Sequence, residues 1–252
     1  MKGSCLAIVC ALLLTVSSGA ADLHSVLATP RQRVETANFR VSGRLVRVDP
    51  NGARTTLPLT IEALGSPSVL RILIETGKPK RAHILLGMRL NGQKTILIAH
   101  SGDKAPEPLP FAQWSDGPLG PGFSYEDFLE QQYFWPEQSV VKTTQYGARL
   151  CDVLRSTPGP ADKTHYAEIQ TWLDHTIGFP VLVKKTLKGS GIVKVFTSMG
   201  LRHDGGVWSA NQVEEKTTGQ SGSTLLIIDR GTARAKLTPG NFSPDNLTHF
   251  QD

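Results

Sequence analysis

The segment from His83 to His100 reads HILLGMRLNGQKTILIAH. Both of its halves are rich in apolar residues, and the Asn91-Gly92 dipeptide between them suits the two positive-φ positions of a tight hairpin turn. The segment therefore predicts two antiparallel strands joined at Asn91-Gly92, with successive side chains on opposite faces of a sheet.

The same period of two continues on both sides of this hairpin. Before it, apolar and polar residues alternate in Phe39 to Leu45, Leu57 to Ala63 and Leu70 to Glu75. After residue 139, strand-like segments separated by glycine-bearing turns continue to Asp229. Over the whole chain, these segments give about eleven strands in succession. Helices do not alternate with them, which argues against a parallel sheet. The pattern predicts one large, curved antiparallel sheet or an incomplete barrel.

Two short helices are predicted beside the strands. One precedes residue 37, and the other runs from Ser124 to about Gln132, because Ser124 can cap a helix and Glu126 and Asp127 suit its first turn. Residues 101–122 contain five prolines, so this stretch cannot lie inside a sheet. A loop of this length in a compact domain is more often functional than idle.

The first segment, Met1 to Ala21, has the pattern of a secretory signal peptide cleaved near Ala21. Its apolar run is about 11 residues long, whereas a membrane-spanning helix needs about 20. We therefore predict an exported protein without stable membrane insertion. Its parts are a signal peptide (1–21), a folded domain (22–235) and a flexible polar C-terminal tail (236–252).

The composition argues against several classes of protein. Of the 252 residues, 19% are charged and 7% are aromatic, and the net charge is +5. The chain is too apolar for a disordered protein and too poor in aromatic residues for a nucleic-acid module built on stacking. The small basic cluster at Lys184-Lys185 is interpreted as solvated surface, so no nucleic-acid partner is predicted.

No catalytic constellation stands out. The run Gly219 to Gly222 has the wrong spacing for a nucleophile elbow and lies between two predicted strands. Asp174 and His175 are adjacent, so in a strand they point to opposite faces. Cys151 lies in a strand-like apolar run, which favours a buried small hydrophobe over a nucleophile. We predict no catalytic residue, no metal site and no cofactor, and hence no enzyme.

Four further motifs carry a resemblance: the stretch GPGFSYEDF from Gly120 to Phe128, then Trp172-Leu173-Asp174, Phe179-Pro180-Val181 and Gly206-Val207-Trp208. Over residues 40–230 the chain resembles the LolA-like family of bacterial outer-membrane lipoprotein-sorting proteins. The resemblance implies a mainly β fold with a few helices. The implied architecture is an incomplete antiparallel β-barrel of about eleven strands, covered by short helices and enclosing an apolar cavity for acyl chains.

The resemblance also implies a function. The expected protein is a periplasmic carrier that binds the acyl chains of lipoproteins or lipids for outer-membrane sorting, with membrane-bound donor and acceptor proteins as partners. Such a carrier needs an apolar cavity, because exposing an acyl chain to water costs about 0.8 kcal/mol per CH₂. An arginine governs lid closure in this family, and Arg40, Arg44 and Arg71 are the candidates here.

The candidate ligand-binding residues form two groups. The predicted cavity lining consists of Val41, Leu45, Ile61, Leu70, Ile72, Ile74, Ile84, Leu86, Ile96 and Ile98. The predicted lid consists of Phe123, Tyr125, Phe128 and Leu129. Each of these side chains could equally be packed core.

Two other functions stay open on the sequence alone. The same half-barrel could serve as an envelope binding or scaffold module that recognises a polypeptide or glycan. The chain could also be an exported hydrolase whose catalytic residues only the fold brings together.

Overall fold

A computed structural model describes residues 21–90 and 92–250 of the chain. The predicted signal peptide up to residue 20 lies outside the described residues, as does Asn91 of the hairpin turn. The described part contains one α-helix, α1 (Leu23–Glu35), and thirteen strands. The strands are β1 (Asn38–Val48), β2 (Arg54–Gly65), β3 (Val69–Thr76), β4 (Ala82–Arg89), β5 (Lys94–His100), β6 (Glu107–Pro108), β7 (Glu137–Tyr146), β8 (Arg149–Thr157), β9 (Tyr166–Asp174), β10 (Pro180–Leu187), β11 (Val193–Asp204), β12 (Val207–Thr217) and β13 (Ser223–Ala233).

All thirteen strands belong to one antiparallel sheet, in the order β6-β5-β4-β3-β2-β1-β13-β12-β11-β10-β9-β8-β7. Strands that follow each other along the chain are paired in the sheet, except β6 and β7; β1 also pairs with β13 and so joins the two halves. Strands β6 and β7 form the two edges, so the described sheet is not closed. The predicted mainly β fold and incomplete antiparallel barrel are confirmed, and the hairpin at residues 83–100 is β4-β5.

The structure has thirteen strands where about eleven were predicted, and one of the additional strands is β6, a two-residue strand in the proline-rich stretch. Its Pro108 has no backbone N–H to donate, and it sits at the sheet edge, where a missing donor is tolerated. The expectation that this stretch stays out of the sheet interior is therefore confirmed.

One face of the sheet carries the main apolar core, and we call it the inner face. The register aligns side chains from neighbouring strands into rows across it. Val41, Ile61, Ile74, Ile84 and Ile98 form one such row. Successive side chains of a strand point to opposite faces of the sheet. The alternation of apolar and polar residues in the sequence therefore assigns this row to the inner face, as the structure has it.

The opposite, outer face of β3 to β5 carries a second row, made by Leu73, Leu85 and Leu97. This row is covered by residues 235–250, which contain two short 3₁₀ helices, Pro239–Phe242 and Pro244–Thr248. Leu237, Phe242 and Leu247 of this segment are buried against the row. Where the sequence predicted a flexible tail, residues 236–250 pack on the sheet, because their apolar side chains meet an apolar outer face.

Helix α1 closes one end of the inner face. Asp22 caps it by accepting a hydrogen bond from the backbone N–H of Ser25 at 3.0 Å, and Leu27 and Val34 are buried in the main core. The expectation of a short helix ahead of residue 37 is confirmed. Within the described residues, no helix combines the length and apolar character needed to cross a membrane.

Candidate functional site: a covered apolar interior

Residues 109–135 lie across the inner face, and we call them the covering segment. They contain three short 3₁₀ helices, Phe111–Gln113, Tyr125–Phe128 and Gln131–Phe134. The sequence predicted one helix from 124 to about 132, and the structure has two 3₁₀ turns instead. Each short helix ends because the next residue, Leu129 or Trp135, adopts extended backbone.

All fourteen predicted ligand-binding residues belong to one apolar cluster between the sheet and the covering segment. Eleven of them are buried: Leu45, Ile61, Leu70, Ile72, Ile74, Ile84, Leu86, Ile96, Phe123, Tyr125 and Leu129. The other three, Val41, Ile98 and Phe128, are partly buried and pack against the same cluster. The cluster also includes Trp114 and Tyr133, two aromatic residues of the covering segment that are not among the fourteen candidates.

The interior is packed in this conformation. The ring of Phe123 lies between two others, with its centroid 6.0 Å from that of Phe128 and 5.3 Å from that of Phe196 on β11. Of two clefts in the described structure, one of about 410 Å³ is bordered by Phe111 and Ser115 of the covering segment and one of about 240 Å³ lies near Tyr146 and Arg149; none of the fourteen residues lines either. An acyl chain could enter this interior only if the covering segment moved.

A buried ionic cluster attaches the covering segment to the sheet. The Asp127 carboxylate is fully buried and accepts hydrogen bonds from Lys185 Nζ at 2.9 Å, from Lys194 Nζ and from Tyr166 Oη at 2.6 Å. Burial alone would raise the pKa of Asp127, but Lys185 and Lys194 outweigh it and hold this pKa well below 3.8. Asp127 lies in the first turn of its short helix, as the sequence predicted, and its carboxylate is also a buried charged anchor.

A second polar anchor lies beside the first. The buried carboxylate of Glu126 accepts hydrogen bonds from Thr164 Oγ1 at 3.0 Å and from His165 Nδ1 at 2.9 Å. Next to it, Lys94 on β5 donates to the side chain of Gln131, and burial lowers the pKa of Lys94 to about 8. Charged and polar contacts thus hold the covering segment over an otherwise apolar floor.

The middle of the covering segment is held by two residues that are directly paired in the sheet. Arg47 on β1 donates from Nη1 to the carbonyl of Leu119 at 3.2 Å, and Thr224 on β13 donates to the carbonyl of Pro121 at 3.4 Å. Gly122 must be glycine here, because its φ is +117° and a Cβ would lie 2.1 Å from Thr224 Oγ1.

This geometry bears on the three arginines that the resemblance suggested. Arg40 pairs with Glu62 and Arg44 with Asp229, both on the outer face, and Arg71 alternates with the inner residues Leu70 and Ile72. In the described structure, none of the three forms a hydrogen bond or ion pair with the covering segment. Arg47 does, since it shares the inner face with Leu45 and was missed because arginine contradicts an apolar strand pattern.

One further expectation is corrected, at the basic pair Lys184-Lys185. Lys184 faces outward, with its Nζ 5.1 Å from the Trp172 ring centroid, whereas Lys185 is buried on the inner face. The alternation of side chains along β10 indicates that Lys185 faces inward. Val183 packs against the inner cluster, and Lys185, two residues further along, points to the same face. Cys151 is fully buried, as its apolar surroundings predicted, and burial raises the pKa of its thiol.

The fold is similar to that of several solved structures. A domain named for outer-membrane lipoprotein sorting, from Vibrio parahaemolyticus, aligns with a TM-score of 0.78 and 15% identity, covering 88% of this chain and 97% of that one. A DUF1329 family protein from Desulfovibrio piger gives 0.76 and 14%, covering 88% and 96%. A LolA superfamily protein from Nitrosomonas europaea gives 0.65 and 14%, covering 89% and 98%. At these identities the likeness establishes the fold.

No curated protein matches the chain. One family model matches residues 112–249, which include most of the covering segment and strands β7 to β13. This match spans more than half of the chain. The chain therefore belongs to that family, whose description reads "uncharacterized protein", and it has the fold of the LolA superfamily structure described above.

Proposed function

We propose that this protein is an exported, periplasmic carrier that takes acyl chains of lipids or lipoproteins into the apolar interior between the sheet and the covering segment. The observation that carries the proposal is the single cluster formed by all fourteen predicted residues, with ten on the sheet and four on the covering segment. The likeness to structures named for lipoprotein sorting supports it.

The attachment of the covering segment supports the same function. At its start the segment bonds to the sheet through the backbone N–H of Leu109, which donates to the carbonyl of Ile96 at 2.8 Å. Beyond Leu109, the contacts described between the segment and the rest of the protein are made by side chains, among them those of Arg47, Asp127 and Glu126. Side-chain contacts of this kind can open without breaking the sheet, so the segment can serve as a lid. Opening would expose the apolar floor, and an acyl chain would then cover it again. This cycle needs no catalytic group.

The direct test is lipid mass spectrometry on organic extracts of the protein, exported with its own signal and purified from the envelope without detergent. We expect phospholipid or acylated peptide at about one per chain, because an acyl chain carried through water must be fully enclosed. Folded protein that yields no lipid and binds no acylated peptide would contradict the proposal. In that case, a stoichiometric protein partner that survives delipidation would favour the binding or scaffold module.

A second prediction concerns the lid. Phe128→Asp should reduce acyl-chain loading at least about tenfold while leaving the sheet folded, because the partly buried ring contributes more to the ligand than to the core. Loading is measured by uptake of a fluorescent fatty acid, and folding by the denaturation midpoint. Val141→Asp, an exposed apolar position on β7, is the matched control and should change neither. Unfolding of Phe128→Asp would instead place Phe128 in the structural core.

A further inference from the structure

Two buried lysines lie side by side on the inner face. Lys185 on β10 and Lys194 on β11 are directly paired in the sheet, and their side chains are 7% and 8% exposed. The Phe196 ring lies beside both: its centroid is 4.8 Å from Lys185 Nζ and 5.5 Å from Lys194 Nζ, and the Tyr166 ring centroid is 5.3 Å from Lys185 Nζ. Phe196 belongs to the apolar cluster, so the lysines border the proposed acyl-chain site.

The charges at this place do not balance. Within the described residues, Asp127 is the only carboxylate within 4 Å of either lysine nitrogen, so two cations share one anion. The next acidic group on this face is Glu215 on β12; burial raises its pKa, Lys194 lowers it in part, and no ion pair joins it to either lysine in the described structure. Buried charge is costly unless it is paired, so the site has capacity for more negative charge.

Asp127, the partner of both lysines, belongs to the covering segment, whereas Lys185 and Lys194 belong to the sheet. If the segment opens as a lid, Asp127 leaves with it and both lysines lose their anion. Tyr166 Oη on β9 then loses its acceptor as well. Other donors are available on the same face, because the hydroxyls of Ser156 and Thr171 are buried without a hydrogen-bond partner in the described structure.

We propose that Lys185 and Lys194 form the binding site for an anionic headgroup of the carried lipid. The inference rests on the proposed carrier function. The phosphate or carboxylate oxygens of the cargo would take the place of the Asp127 carboxylate, accepting charge-assisted hydrogen bonds from both lysines and from Tyr166. The acyl chains would lie beside Phe196 on the apolar floor. Asp127 therefore acts as a stand-in for the headgroup when the carrier is empty.

This arrangement predicts selectivity among lipids with identical chains. A phosphatidylglycerol headgroup carries a net negative charge, whereas phosphatidylcholine brings a cation that the surplus lysine repels. The full mature chain is incubated with vesicles of dioleoyl phosphatidylglycerol or of dioleoyl phosphatidylcholine, and protein-bound lipid is quantified. We expect at least about tenfold more phosphatidylglycerol than phosphatidylcholine on the protein.

Variants locate the selectivity. Lys194→Gln removes the surplus charge and leaves one lysine with one aspartate, so the preference should fall to about twofold or less while acyl uptake persists. Lys184→Gln removes a lysine from the outer face of β10, next to Lys185, and should keep the full preference. Lys194→Arg retains the charge and should also keep it, which separates charge from folding if Lys194→Gln is unstable.

The outcomes separate the two proposals. Equal uptake of both lipids by the wild-type protein would overturn the headgroup site and leave the carrier function standing. Uptake of neither lipid would count against the carrier function itself. If inorganic phosphate or glycerol phosphate raised the denaturation midpoint as much as the anionic lipid does, the ligand of the lysines would be a small anion, and the assignment to a lipid headgroup would be overturned.

Discussion

Replacing Asp127 by Ala is expected to lower the free energy of unfolding by about 3–5 kcal/mol, the range observed when one partner of a buried ion pair is removed. The truncation leaves Lys185 and Lys194 buried without a carboxylate within 4 Å. It also removes the acceptor for Tyr166 Oη and for the backbone N–H of Ser124. The measurement is chemical denaturation of the wild-type and variant proteins.

In Asp127→Ala, the covering segment should detach at a lower free-energy cost than the sheet needs to unfold. Its detachment lets water reach Lys185 and Lys194, so the buried charges can be solvated without unfolding of the thirteen strands. We expect faster proteolysis and hydrogen exchange within residues 109–135 of Asp127→Ala, with little change in the strands of the sheet. Equal loss of protection across the sheet would show that the ionic cluster supports the whole fold and not the lid alone.

Two controls isolate the buried charge. Asp229→Ala removes the partner of Arg44 in an exposed pair and should cost less than about 1 kcal/mol. The triple variant Asp127→Leu, Lys185→Met, Lys194→Met replaces the ionic cluster by apolar groups of similar size and should recover most of the lost stability. If the triple variant is as unstable as Asp127→Ala, the cost arises from packing and not from unpaired charge.

The same cluster sets a pH dependence with a definite sign. Because the folded protein holds the pKa of Asp127 well below its ordinary value of 3.8, the folded state binds this proton more weakly than the unfolded state. The stabilisation is complete above pH about 4 and is lost as pH falls below it. The difference in stability between wild type and Asp127→Asn should therefore be constant near neutral pH and should shrink in acid.

The sequence predicts the sheet well because strand geometry is local. A period of two assigns each side chain to a face, and short glycine-bearing turns make successive strands neighbours. Ile74 and Ile84 could thus be placed on the inner face from their strands alone, and the register confirms them as partners. The pairing of β1 with β13 involves residues at opposite ends of the domain, and no local pattern encodes it.

The ionic cluster could be predicted only in part. Alternation places Lys185 on the inner face once Val183 is there, so an inward-facing lysine could have been identified. Its partner Asp127 is 58 residues away in the chain and lies in a segment without strand periodicity. Glu126 and Asp127 also satisfy the preference for acidic residues in the first turn of a helix. Because this local preference already accounts for both residues, there was no reason in the sequence to expect their long-range contacts.

Deletion of residues 236–252 is expected to destabilise the protein by about 3 kcal/mol or more, comparable with truncation of a buried Phe. The deletion removes Leu237, Phe242 and Leu247, which are buried on the outer face, and the hydrogen bond from His83 Nδ1 to the Leu247 carbonyl at 2.9 Å. A flexible tail, as the sequence predicted, would make no such contribution, so thermal denaturation of the truncated chain separates the two descriptions.

The deletion should also expose a contiguous apolar row on the sheet, formed by Leu73, Leu85 and Leu97. Exposed patches of this kind promote association, so the truncated protein should bind a hydrophobic dye and self-associate. The sequence itself indicates that this outer row is buried. Strands β3 to β5 have apolar residues at consecutive positions, which is typical of strands buried on both faces.

Point variants keep this prediction testable if the truncated chain is insoluble. Phe242→Ala should lower the free energy of unfolding by up to about 3–5 kcal/mol, whereas Leu150→Ala at an exposed site on β8 should change it by less than about 0.5 kcal/mol. Phe242 lies on the outer face, away from the proposed acyl-chain site, so its replacement should leave lipid uptake per folded molecule unchanged. Loss of uptake in folded Phe242→Ala would mean that the two faces are coupled through β3 to β5, and the outer segment would then belong to the carrier mechanism.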